Sequence, residues 1–211
     1  MIYKEFAKVI SNKMIAKNIY EAFLYAPNIS KICSPGQFIN ILPSKEWNKV
    51  MRRPMSIASQ KNDVISIIYK IFGDGTQLIS EWIENDKIDI IGPLGNSWQH
   101  FDKQKPVLIG GGVGIAPIFY LHDKLNSLNI NHMLIVGAKE DEEQFTEHNP
   151  DEEIYLSTDN GKIGIKGNVI DVLNKYDQTE MIPFYNEILN NICFADYIDR
   201  ITFQKQIWQF N

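Results

Sequence analysis

Short apolar runs with alternating polar positions dominate the first hundred residues. They are IYKEFAKVI (2–10), NIYEAFLYA (18–26), QFINIL (37–42), MSIAS (55–59), VISIIYKIF (64–72) and KIDIIG (87–92). Each is rich in β-branched and aromatic residues and bounded by turn formers, the pattern of strands. Their close spacing predicts a small closed antiparallel barrel. GTQLISEWIEN (75–85) breaks the rhythm, because Leu78, Ile79, Trp82 and Ile83 recur at helical spacing.

Beyond GPLGNSWQHFDKQK the pattern changes. VLIGG (107–111) is a continuous apolar run, as expected of a strand buried on both faces. A glycine-rich turn follows, then a helical stretch, IAPIFYLHDKLNSLN (115–129), and a strand, HMLIVGA (132–138). After an acidic segment come a strand, EIYLS (153–157), and a helix near GNVIDVLNKY (167–176). Strand–helix alternation predicts a parallel sheet. The fold class is therefore an N-terminal antiparallel barrel (1–100) followed by a parallel-sheet nucleotide-binding α/β domain (105–180), with a polar boundary at 99–105. Ligands of such sheets sit at the carboxyl ends of the strands, so a cleft beside the barrel is expected.

Composition narrows the function. With 44% apolar and 22% charged residues the chain reads as a soluble globular protein. A net charge of -5 argues against nucleic-acid binding. The start, MIYKEFAKVI, lacks a signal-peptide layout. The longest apolar run, PVLIGGGVGIAPIFYL (106–121), is glycine-rich and shorter than the ~18 residues of a membrane span. A cytoplasmic, membrane-free protein is expected. The two cysteines, Cys33 and Cys193, fit a reducing compartment and are too few to hold an iron–sulfur cluster with four cysteines of this chain.

Three motifs carry candidate chemistry. In GGGVGIAP (110–117), Gly110, Gly111 and Gly112 permit unusual backbone geometry, Gly114 permits close approach, and Pro117 suits a first helical turn. The helix start would then present N–H groups to a pyrophosphate; a purely packing role for the glycines is the alternative. GDGT (73–76) is a second phosphate-type turn, with Thr76 as its expected N-cap. In RRPMSIAS (52–59), Arg53 offers a bidentate fork to a phosphate. A regular strand would turn Arg53 and Ser56 to opposite faces, so a ligand would wrap the strand edge; a solvated strand end is the alternative.

In that order the motifs resemble the ferredoxin–NADP reductase superfamily, most closely the electron-transfer subunits of type B dihydroorotate dehydrogenase. RRPMSIAS, IYKIFGDGT, GPLGNSW, LIGGGVGIAPI and STDNGKIGIKGNVIDVL carry the resemblance, across roughly residues 36–175. It implies an FAD-binding barrel in which Arg53 binds FAD phosphate, with Pro54 beside it in the same motif, and Ser56 lies near the reactive flavin edge. Met55 would stand where many superfamily members stack a tyrosine on the ring. Ile68, Tyr69 and Lys70 would line the flavin site, Gly75 and Thr76 would hold the pyrophosphate, and Gly110–Gly114 would face the NADH diphosphate. Hydride transfer at the flavin would need no catalytic side chain. The acidic GAKEDEEQF (137–145), near Glu140–Glu143, would repel a 2′-phosphate and favour NADH over NADPH; a solvated acidic helix is the alternative.

The resemblance fails toward the C-terminus. The family's C-G-P strand end is replaced by NKYDQTEMIPFYNEILNNI (174–192), and the cysteine-rich [2Fe-2S] segment by a divergent tail (181–211). The expected function is electron transfer from NADH through FAD to a partner, a dihydroorotate dehydrogenase catalytic subunit of pyrimidine biosynthesis. A free-standing flavin reductase and an FAD-binding subunit without NADH turnover are the competing expectations.

Overall fold

The computed structural model describes residues 1–44, 51–99 and 105–176. Six strands close a barrel: β1 (Tyr3–Ala16), β2 (Ile19–Tyr25), β3 (Phe38–Ile41), β4 (Arg53–Lys61), β5 (Val64–Lys70) and β6 (Lys87–Leu94). Their order around it is β1-β2-β5-β4-β3-β6, with every pair antiparallel. Alternation explains the closure. Ala7, Val9, Ala22, Leu24, Ile39, Ile41, Ile57, Ile65, Ile67 and Ile90 point inward and are fully buried. One-turn helix α1 (Pro27–Ser30) and helix α2 (Asp74–Ser80) pack on this core through Ile29 and Ile79.

β1 runs six residues past the apolar pattern. A register shift between Val9 and Ser11 lets the polar NKMIA stretch stay paired to β2. Asn12 then caps α2 from the barrel: its Nδ2 donates to the Ile79 carbonyl at 2.8 Å and its Oδ1 accepts from the Tyr69 hydroxyl at 2.8 Å. α2 ends at Ser80, short of the expected 85, and Trp82 turns back into the core with its Nε1 donating to the Pro43 carbonyl at 3.3 Å.

The second half is a four-stranded parallel sheet, β7 (Val107–Gly111), β8 (Met133–Ala138), β9 (Ile154–Thr158) and β10 (Ile165–Lys166), in the order β10-β9-β8-β7. Helix α3 (Ala116–Ser127) follows a 3-10 turn at Gly112–Ile115 and links β7 to β8; helix α4 spans Val169–Tyr176. Leu108, Ile115, Leu121, Leu125, Leu134, Val136 and Leu156 form its core.

Barrel and sheet fall in one compact unit, Met1–Val172. α3 lies against β4. On that seam Ile19, Ala58 and Ile68 of the barrel pack with Ala116, while Tyr120 inserts among the barrel core residues. The Tyr120 hydroxyl donates to the Cys33 carbonyl at 3.1 Å. Burial, and then the neighbouring Cys33, push the Tyr120 phenol far up, so it keeps that proton. Among the described residues no helix is long and apolar enough to cross a membrane.

Candidate functional site

The arginine pair divides its labour. Arg52 is structural: its Nη2 binds Asp89 Oδ1 at 2.7 Å, and its Nη1 donates to the carbonyls of Asn40 and Asp89, both at 3.2 Å. The guanidinium thus ties the start of β4 to β3 and β6. Arg53 makes no ion pair with any described residue. Its Nη1 donates only to the carbonyls of Met51 and Arg52.

Pairing fixes where Arg53 points. Ile41 opposes Arg53 and Ile39 opposes Met55, and both isoleucines face the barrel interior. Cross-strand partners share a face, so Arg53 and Met55 turn inward at the barrel end, where Met55 packs on the core. Pro54 and Ser56 turn outward, on the side where Ala58 meets α3. Arg53 and Ser56 therefore flank the strand on opposite sides.

The GDGT turn lies under Arg53. A Cβ on Gly75 would stand 2.5 Å from Arg53 Nε and 3.2 Å from its guanidinium carbon, so only glycine leaves the arginine room. Gly73, not Thr76, is the N-cap of α2. Thr76 is the third helical residue, and its Oγ1 accepts from the N–H of Phe72 at 2.9 Å and of Gly73 at 3.2 Å. That hydroxyl fixes the turn, leaving the first-turn main-chain N–H groups as the anion donors. A guanidinium without a carboxylate partner among the described residues, over an N–H-rich turn, could hold a pyrophosphate such as that of FAD.

The other predicted flavin residues separate by face. Ile68 packs in the seam with Ala58 and Ala116. Tyr69 points into the barrel, 2% exposed, with its phenol pushed well up by burial. Only its main chain remains for a ligand. Lys70, at the end of β5, bonds Glu143 at 2.6 Å.

At the carboxyl ends of β7, β8 and β9 a cleft of ≈ 430 Å³ is lined by Gly111, Gly112, Gly137, Glu143, Ser157 and Asp159, among others. This is where an open parallel sheet binds nucleotides. The glycines divide here too. A Cβ on Gly110 would stand 2.6 Å from the Ile115 side chain, so Gly110 packs strand against turn. Gly112, at φ +52°, and Gly114 have open space around them. The Ser157 hydroxyl, fully buried at the edge of this cleft, has no hydrogen-bond partner among the described residues. Gly137, Lys139, Ser157 and Asp159 lie in the stretches GAKEDEEQF and STDNGKIGIKGNVIDVL without a role assigned by the motifs; their signal is position, at or just past the ends of β8 and β9.

No protein-family model matches the chain. It is 32% identical over 183 residues to the electron transfer subunit of dihydroorotate dehydrogenase B (NAD(+)) from Fusobacterium nucleatum, covering 83% of this chain and 71% of that relative. To the same subunit from Bacillus pumilus it is 33% identical over 184 residues, covering 82% and 70%. The chain belongs to the dihydroorotate dehydrogenase B electron transfer subunit family. Among solved structures, the NADH-dependent reduced ferredoxin-NADP oxidoreductase superposes with TM-score 0.73 at 27% identity; the match covers 82% of this chain and 64% of that one, just under two thirds. Phthalate dioxygenase reductase, at 17% identity and TM-score 0.65 over 84% of this chain and 58% of its own, shares the fold.

In this electron transfer subunit family the chain is a flavin-dependent oxidoreductase with the expected barrel and parallel sheet. Cys33 is a buried free thiol whose pKa is raised chiefly by burial. Cys193 and the 177–211 stretch, including most of the segment at the C-G-P position, lie outside the described residues.

Proposed function

We propose that this subunit takes electrons from NADH onto FAD and delivers them to a dihydroorotate dehydrogenase catalytic subunit. The observation that carries the FAD assignment is the Arg53 guanidinium, without an ion-pair partner among the described residues, lying over Gly75 at the start of α2. FAD, when bound, supplies hydride acceptance and onward electron release.

The chain's own residues bind and orient. Arg53 and the first-turn N–H groups after Gly73 hold the pyrophosphate, with Gly75 keeping the space. Met55 provides an apolar contact from the barrel end. Pro54 and Ser56 stand on the opposite side of the strand, toward α3. In the sheet, Gly111, Gly112 and Gly114 leave the main chain open to the dinucleotide diphosphate. NADH is the favoured donor: the relatives carry NAD(+) in their names, and the exposed carboxylate of Asp159 stands in the cleft wall, where a 2′-phosphate would be repelled.

The test is a visible spectrum of the purified protein, followed by anaerobic addition of NADH. A flavin spectrum that NADH bleaches, and that recovers only with a catalytic subunit present, is the expected result. A protein that takes up no FAD overturns the reading. A yellow protein that NADH leaves unbleached reduces it to FAD binding.

A further inference from the structure

The acidic turn after β8 is built differently from a filter against 2′-phosphate. Two lysines from separate parts of the barrel grip it. Lys17, in the β1–β2 turn, reaches Glu142 Oε2 at 2.6 Å and Glu140 Oε2 at 3.5 Å. Lys70, at the end of β5, reaches Glu143 Oε1 at 2.6 Å. The main chain joins in, since the Lys17 N–H donates to the Glu142 carbonyl at 2.9 Å. Phe145 then packs edge-on to Phe119 of α3, with rings 5.9 Å apart, against the cluster that contains Ile19 and Ile68 of the barrel. The remaining acid of the turn, Asp141, is held within its own domain by Lys162 and Asn160.

Exposed ion pairs are individually weak. The Lys70–Glu143 pair is the less exposed one, at 35% and 17%. The turn combines ion pairs to two barrel elements with a main-chain hydrogen bond and an apolar anchor, and all of these cross the seam. A carboxylate engaged by an ammonium is also a poor source of repulsion for a distant phosphate.

We propose that Glu140, Glu142 and Glu143 form an electrostatic clamp that sets the nucleotide sheet against the barrel, with Lys17 and Lys70 as its counterparts, and that Glu140 and Glu142 do not select the nucleotide; Glu143 alone of the three also lines the cleft. The clamp rests on the NADH-to-FAD reading for its purpose: hydride transfer is sensitive to misplacement on the ångström scale. Lys17 is a positioning residue, outside the motifs that hold either cofactor.

The experiment compares the FAD-loaded wild type with Lys17→Glu, Glu142→Lys, the double swap, and Glu140→Gln/Glu142→Gln. One readout is anaerobic stopped-flow reduction by NADH and NADPH. The other is hydrogen–deuterium exchange of the 15–20 and 140–146 segments, which needs no turnover. Each single reversal should lower the limiting reduction rate by about tenfold, as a misplacement of a fraction of an ångström would. The half-saturating NADH concentration should stay unchanged, and both segments should exchange faster. The double swap should recover rate and protection, and the NADH-to-NADPH preference should hold in every variant. A preference that shifts toward NADPH in the Gln variant makes the turn a nucleotide filter and overturns the clamp. So does a Lys17→Glu protein with unchanged rate and exchange. A wild type that NADH fails to reduce sinks the functional reading instead, and exchange alone then decides the clamp.

Discussion

At the residue scale, adjacent and chemically identical side chains do different work because a strand turns them to different surroundings. Arg52 satisfies Asp89 and two carbonyls; Arg53 meets only neighbouring carbonyls and the bare backbone at Gly75. Hydrogen bonds between charged groups are worth about 1.5–3 kcal/mol, and a buried partner left unpaired adds to the loss. Arg53→Ala is therefore expected to weaken FAD binding by roughly ten- to a hundredfold, with the denaturation midpoint of the apoprotein little changed. Arg52→Ala should do the reverse, lowering stability by about 1–3 kcal/mol while FAD affinity is kept. Flavin titration and urea unfolding of both variants check the division; equal effects on both measurements would abolish it.

At the scale of elements, α3 is held by specific polar contacts from its middle turns. Toward its C-terminus His122 and His132 meet with ring nitrogens 2.7 Å apart. The Ile130 carbonyl, 2.8 Å from His132 Nδ1, can only accept, so that nitrogen carries hydrogen. His132 Nε2 then accepts from His122 Nδ1, and His122 Nε2 accepts from Asn126 Nδ2 at 3.1 Å. In this arrangement every ring nitrogen of the pair has a partner. Burial, then the facing His132, lowers the pKa of His122 below its usual 6.5. A lowered pKa means the unfolded chain binds more protons, so stability is present above pH 6.5 and is lost as pH falls below it toward the folded-state value. Glu21 and Asp123, whose carboxyls burial pushes up, titrate in the opposite sense. The measurement is thus a comparison: urea midpoints between pH 7.5 and 5 should fall more steeply for the wild type than for His122→Gln. Parallel curves would remove His122 as the cause.

At the scale of the whole molecule, the seam decides whether barrel and sheet behave as one body. Tyr120 crosses it, bonding the Cys33 carbonyl from within the barrel core. Tyr120→Phe keeps the packing and orphans that carbonyl, an expected loss of about 1–2 kcal/mol. Unfolding followed by far-UV circular dichroism and by tryptophan fluorescence should shift together. A shift in one probe alone would show that the halves unfold separately.

Much of this was legible in the chain. Period-two alternation determined the six barrel strands, and the continuous apolar run VLIGG determined β7 to the residue, because burial on one face or two leaves a direct trace in composition. The motif order determined the family. Four things depended on tertiary structure. The β1 extension rests on pairing with β2. The short α2 follows from Trp82 turning into the core. The packing role of Gly110 is set by Ile115. The acidic turn's lysine partners come from 70 or more residues away. Local pattern records which face of an element is buried; it holds no record of which distant charge will stand opposite. So the sequence by itself determined the barrel, the parallel sheet and the family, and singled out Arg53 and the glycine-rich turn as candidates for anion binding. Only the folded chain showed that Arg52 is engaged by Asp89, that Arg53 has no ion pair among the described residues, and that the acidic turn meets two lysines of the barrel.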